Sequence, residues 1–253
     1  MIVTILASGS KGNCIYISVN NHNILIDVGM TCISIERKLK EINVNPADID
    51  TILVTHAHKD HIAGLDVFYK KYKPVVYLTD NIYKEANLKL ASYKILNEPI
   101  ILDEILITPI PTSHDAKDSR GYIIEHNNKS LVYITDTGYL NSKYFDLLKN
   151  KNIYIMESNH DVELLMNNEH YPHNVKIRIL GDEGHLSNVD SSLYLSKLIG
   201  SNTKKVFLHH LSEENNTPDL ALNTLKETLN KKNIDFNNIS VASQYEISEV
   251  VTI

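Results

Sequence analysis

The 253 residues are 43% apolar and 22% charged, which is ordinary globular composition and too apolar for a disordered chain. A formal charge of -6 gives no global attraction for a polyanion, so avid non-specific nucleic-acid binding is excluded and any such contact must be local. The opening Met1-Ile-Val-Thr-Ile-Leu-Ala-Ser8 lacks the basic start and the length of a signal peptide, and no later apolar run reaches membrane-spanning length. A cytoplasmic protein of one domain, residues 1–253, with Cys14 and Cys32 as free thiols, is expected.

Ile2 to Leu6, Cys14 to Ser18 and Asn23 to Val28 read as three strands of a meander, separated by Gly- and Asn-rich turns. The Ser8 to Asn13 loop has backbone amides to offer a phosphate but neither the spacing of a P-loop nor a helix after it, so it reads as a tight turn near a site. Ile33, Ile35, Leu39 and Ile42 fall near helical spacing, and Pro46 to Asp50 leads into Thr51-Ile-Leu-Val-Thr-His-Ala-His-Lys-Asp-His61. Four apolar or β-branched residues there have the composition of a buried strand, and they break into three histidines and an aspartate. His56 and His58, two apart in extended chain, point to one side and can reach one ion. Asp60 and His61 follow as the chain turns, so they suit a second ion. Imidazole and carboxylate without thiolate point to zinc first, with manganese or iron as alternatives.

Beyond this stretch, Leu65 to Tyr72 reads as a short helix, Val75 to Leu78 as a strand and Asn81 to Leu96 as a long amphipathic helix. Lys70, Lys71, Lys73, Lys84, Lys89 and Lys94 make this the most basic region; solvated helix faces account for them, with a substrate-steering rim as the alternative. The apolar strand Ile105 to Pro111 stops just before His114, and the pair Gly121 to Glu125 and Leu131 to Ile134 stops at Asp136-Thr-Gly138, which is also good Asx-turn chemistry. Ile153 to Met156 is a buried strand followed by Glu157 and His160, a polar cluster in contact with either the site or its substrate. A helix from Asn174 to Leu180 carries Lys176 and Arg178; His185 then precedes Ser187, a cap for the helix Val189 to Ile199. The strand Lys205 to Leu208 runs into His209 and His210, whose side chains cannot both face one ion. A helix opened by Thr217-Pro218, with Leu222, Leu225 and Leu229 as its stripe, and two closing strands complete the chain.

His56-Ala-His58-Lys-Asp60-His61 resembles the His-x-His-x-Asp-His motif of the metallo-β-lactamase superfamily, and the order of the later motifs looks like its YycJ/WalJ (VicX-like) branch over nearly the whole chain. The resemblance implies an α/β fold, a four-layered αββα sandwich with a binuclear site at one edge. It implies His56, His58 and His114 as ligands of one divalent ion, Asp60, His61 and His210 as ligands of another, and Asp136 as a bridge. Asp27 then orients the metal-binding loop, and His209 is a bystander. The aspartate at 136 speaks against the antibiotic-hydrolysing branch, where cysteine is usual there, and the histidine at 58 against flavodiiron-like redox enzymes. There is no room for the large insertion of the mRNA-processing nucleases.

His185 in its Gly-His-Leu-Ser setting resembles the proton donor of tRNase Z-type phosphodiesterases, with a helix-capping surface residue as the alternative. The resemblance implies a DNA exonuclease, and the implied reaction is hydrolysis of a phosphodiester, on nucleic acid or a smaller substrate, by hydroxide that two cations generate and Asp60 orients. His185 serves as the acid. A thioester hydrolase of the glyoxalase II type shares the ligand set, and a non-catalytic regulatory or binding module on the same fold is the third reading.

Overall fold

A computed structural model describes residues 1–253. The first meander forms as β1 (Ile2–Ala7), β2 (Cys14–Val19) and β3 (His22–Ile26), and β4 (Thr51–Leu53), β5 (Val75–Leu78) and β6 (Lys94–Ile95) add to it in parallel. The second sheet repeats this plan. β7 (Ile100–Leu102), β8 (Ile105–Pro111), β9 (Arg120–His126) and β10 (Lys129–Ile134) are antiparallel, and β11 (Ile153–Glu157), β12 (Lys205–His209) and β13 (Ile239–Val241) follow in parallel. The last strand, β14 (Val251–Thr252), returns to the first sheet beside β1, giving two sheets of seven strands.

Side-chain alternation sorts these strands into layers. Ile15, Ile17, Ile24, Ile26 and Leu53 of the first sheet meet Leu131, Tyr133, Ile153, Ile155 and Phe207 of the second in a buried cluster between the sheets. The alternate residues face outward. Tyr16, Leu25, Ile52 and Val54 pack under α1 (Cys32–Glu41), α3 (Leu65–Tyr72) and α4 (Asp80–Ala86), and Val132, Tyr154, Val206 and Leu208 under α5 (Phe145–Leu148), α8 (Asn188–Leu198) and α9 (Pro218–Lys231). The result is the expected αββα sandwich. Each fully buried aliphatic chain contributes about 1.5–3 kcal/mol of transfer free energy, so all three layers contribute to stability.

Three helices lie outside that packing plan: the single turn α2 (Lys59–Ile62), α6 (Val162–Asn167) and α7 (His173–Leu180), which buries none of its residues. No helix is long and apolar enough to cross a membrane. Cys14 and Cys32 are free, buried in the same helix-facing layer.

Several expectations change. The helix read over 81–96 ends at Ala86, because Asn87 adopts φ +50 and closes it with a left-handed cap. Beyond it Leu88 and Leu90 are buried at alternate positions, a strand-like period. α1 buries Cys32, Ile35 and Leu39 but leaves Ile33 79% exposed, and α9 buries Ala221 rather than Leu222. β7 and α6 carried no clear period and were not anticipated.

Candidate metal centre

The parallel strands of both sheets deliver their C-terminal ends to one rim, where α/β folds commonly place their sites. Asp27 follows β3, His56 follows β4 after Thr55, and α2, with His58 at its N-cap, carries Asp60 and His61. From the second sheet come His114 after β8, Asp136 after β10, Glu157 at the end of β11 and His210 after β12. Asp27, Asp136 and His210 sit at φ +62, +48 and +57. This left-handed region costs a residue with a Cβ about 1–3 kcal/mol, and Asp and His are among the types that tolerate it best. The strained turn stops each strand and redirects its side chain to the rim.

The donor atoms converge. Those of His56, His58 and His114 lie within 4.8 Å of one another, as do those of Asp60, His61 and His210, and those of His56, His61 and Asp136. Asp136 stands between the first two groups: Oδ2 is 3.2 Å from His61 Nε2, and Oδ1 is 3.6 Å from both His114 Nε2 and His210 Nδ1. His209 stays apart, its ring buried against the Tyr133 hydroxyl at 3.2 Å. Beneath the cluster Asp27 accepts the Thr55 amide at 2.8 Å and lies 2.7 Å from His61 Nδ1, leaving Nε2 of that ring toward the donors.

Glu157 was expected to touch the site or its substrate, and it orders the rim from below. It is fully buried; Oε1 lies 2.7 Å from His185 Nδ1 and 3.1 Å from His210 Nδ1, and Oε2 accepts the amides of Thr137 and Leu186. Burial opposes its ionisation, but the charge of His185 and the histidine hydrogen bonds hold it at about 2. Burial pushes His56 well down, keeping it neutral; burial is also the largest single effect at His210, but the Asp136 charge and the hydrogen bonds to Asp60 and Glu157 together outweigh it and raise the ring to about 10. Buried carboxylates that draw protons onto their neighbours are short of positive charge. His56 Nε2 is buried with no hydrogen-bond partner. Both observations, with an all-imidazole and carboxylate donor set, fit divalent cations.

A cavity of about 410 Å³ opens above these residues, with His58, Asp60, His114, Asp136, His185 and His210 in its lining. Tyr171, Val175, Arg178 and Ile179 form one wall, a role that the sequence did not signal beyond a helix with basic residues. Asp115, also missed, lies 3.4 Å from both His58 Nε2 and His114 Nε2 and 3.7 Å from Arg178. His160 is buried outside the donor groups with neither ring nitrogen partnered. The six lysines between 70 and 94 are exposed and none lines this cavity; Lys70, Lys71 and Lys84 lie on helices as read, whereas Lys73 caps α3, Lys89 lies beyond α4 and Lys94 belongs to β6.

Residues 7–148 match the metallo-beta-lactamase superfamily. The chain is 35% identical over 236 residues to the exodeoxyribonuclease YycJ of Bacillus anthracis, covering 90% of this chain and 89% of that one. It is 36% identical to the exodeoxyribonuclease WalJ of Streptococcus pneumoniae, covering 89% and 87%. In fold it is similar to the metallo-beta-lactamase fold protein YhfI of Bacillus subtilis, with a TM-score of 0.73 at 16% identity over 98% of this chain and 99% of that one. Human tRNase Z, short form, gives 0.66 at 13% identity over the whole of both chains. From its motif order, its two-sheet architecture and these relatives, the chain belongs to the metallo-β-lactamase superfamily and within it to the YycJ/WalJ branch.

Proposed function

We propose that this protein is a two-metal phosphodiesterase that removes nucleotides from a DNA end. The observation that carries the reading is the Glu157–His185 pair, 2.7 Å apart, with His185 lining the same cavity as the donor cluster. The names of the YycJ and WalJ relatives support DNA as the substrate. His56, His58 and His114 would hold one divalent cation, Asp60, His61 and His210 the other, and Asp136 would give an oxygen to each. Zinc suits these donors first, and manganese or iron also match. When bound, such a pair neutralises a non-bridging phosphate oxygen and lowers the pKa of an attacking water towards neutrality.

The chain's own residues do the rest. Asp60 lines the cavity, and the histidines beside it offset the cost of its burial and hold it ionised, so it can accept a hydrogen bond from the water and orient it. Glu157 engages His185 Nδ1, which leaves Nε2 free to protonate the departing alkoxide; the same carboxylate stabilises the imidazolium form. With a net charge of -6 the substrate is held locally, and a cytoplasmic role suits the two free thiols.

The test is a substrate panel of DNA, bis-p-nitrophenyl phosphate and S-lactoylglutathione with metal-loaded protein. Cleavage of the two phosphodiesters, abolished by a chelator, is expected. Activity on the thioester alone would reassign the protein as a glyoxalase II-type hydrolase, and no activity on any of the three would favour a non-catalytic module.

A further inference from the structure

The Ser8 to Asn13 loop, a turn by its sequence, touches all three residues proposed to hold the second cation. Asn13 is fully buried, and its Oδ1 accepts the Gly9 amide at 2.8 Å, which fixes the direction of the side-chain amide. Nδ2 then lies 2.9 Å from His61 Nε2 and donates to Asp60 Oδ2 at 3.2 Å. The main chain of Asn13 also donates to the Asp60 carbonyl at 2.8 Å. At the start of the loop, Ser8 Oγ accepts the His210 amide at 2.8 Å, at the residue whose φ is +57. None of the loop's hydrogen bonds reaches His56, His58 or His114.

The fit is tight on both sides of the loop. A Cβ on Gly12, at φ +153, would fall 2.9 Å from the Gly29 carbonyl oxygen, and one on Gly29 would fall 1.6 Å from that of Asp60. Three backbone segments therefore pack directly on one another, and moving the loop moves Asp60. On the outside, Lys11 Nζ is 2.6 Å from Glu213, and Gln244 donates to Glu213 at 2.8 Å while accepting the Lys11 amide at 3.1 Å. These contacts tie the loop to the chain just beyond His210.

We propose that the Ser8–Asn13 loop builds the second cation subsite, with Asn13 and Ser8 as positioning residues. The proposal rests on the ligand assignment above. Asp60 and His61 come from α2 beside the first sheet, and His210 comes from a strand end of the second. Nothing local sets their separation. The β1–β2 loop does so, because Asn13 grips one half of the subsite and Ser8 the other. The first subsite also spans the two sheets, with His56 and His58 on one segment and His114 after β8, but no hydrogen bond of this loop reaches it. When a cation takes the lone pair of His61 Nε2, Asp60 Oδ2 remains as the partner of the Asn13 amide, so the grip persists.

The experiment is zinc titration of metal-stripped wild-type protein and of Asn13→Ala, Ser8→Ala and Ser8→Thr, with calorimetric resolution of the two binding events. We expect the first ion to bind with unchanged affinity and the second about 10–100-fold more weakly in both alanine variants, the usual effect of losing a residue that orients a ligand. Ser8→Thr, which keeps the hydroxyl, should restore the wild-type isotherm. Ser8→Ala removes a single oxygen and guards against a folding failure of Asn13→Ala. Equal weakening of both ions, or no change in either, overturns the proposal while leaving the binuclear reading intact. Fewer than two ions on the wild-type protein overturns both.

Discussion

The two ends of the same strands are built on opposite chemistry. Where the parallel strands begin, polar residues satisfy one another within the protein. Asn152 accepts the Ser130 amide at 2.8 Å and donates to the Asn202 carbonyl at 2.9 Å, and His22 stands between Asp50 and Asp103, each at 3.0 Å. Where the strands end, Asp27, Asp136 and Glu157 bury their carboxylates, and His56 Nε2 is buried with no partner. The first rim is complete from the chain alone. The second gathers buried carboxylates and an unpartnered ring nitrogen that suit a cation, and the difference separates what holds the fold from what serves the reaction.

The largest effect that would sharpen this contrast is at Asp136. Asp136→Ala removes the carboxylate standing between both donor groups, so hydrolysis should fall to background and elemental analysis should find both ions depleted. His209→Ala, one residue from His210 but turned to Tyr133, should keep close to two ions per chain. Loss of an ion from His209→Ala would make His209 a ligand in place of His210.

Next in size is His185→Ala. Both ions should stay, while cleavage of an ordinary phosphodiester drops about 10²–10⁴-fold, the usual contribution of a positioned acid. A p-nitrophenolate leaving group needs less protonation and should lose much less. Equal losses on both would reassign His185 to stabilising charge on the phosphoryl group, and unimpaired rates would remove the main ground for preferring a phosphodiester.

Loading the rim should also stabilise the fold. An ion pool at about 100 times the dissociation constant adds about 2.7 kcal/mol per independent site, provided the unfolded chain binds none. Thermal melts with and without chelator should therefore differ by several degrees. Coincident melts would mean that the rim's unmet charge is relieved in some other way.

The legibility of the two rims in the sequence differs as their chemistry does. The run His56 to His61 packs four ligand-type residues into one short segment, and His114, Asp136 and His210 each stand where an apolar run stops, so position along the chain betrays them. Glu157 also stands where an apolar run stops and the Ser8–Asn13 loop reads as a turn near a site, but their partners are not legible, because they act across 28 residues to His185 and 202 residues to His210. The same holds for the fold. Alternating buried strands were readable, whereas the end of α4 turned on one left-handed Asn87 and β7 on pairing with a neighbour. At the opposite rim nothing stood out, since asparagine and lysine there are ordinary turn residues.

The smallest expected effect belongs to that quiet rim and tests whether it is as self-sufficient as it looks. His22 opens β3, and its hydrogen bond to Asp50, against a smaller opposing effect of burial and with help from Asp103, raises its pKa above the ordinary value. The folded state thus holds the proton more tightly than the unfolded chain, whose histidine titrates near about 6.5. The sign follows from linkage: the stabilisation is fully present below that value and is lost as pH rises through the higher folded value. Asp103 is exposed and Asp50 half-exposed, so screening limits the contribution to about 0.2–1 kcal/mol. His22→Gln should therefore destabilise the protein more in acid than in mild alkali, and comparing variant with wild type at each pH cancels the titration of the metal rim. Urea midpoints across the neutral range are sufficient to measure it. A penalty independent of pH would mean that His22 contributes through packing and uncharged hydrogen bonds, and a penalty growing with pH would contradict the raised pKa itself.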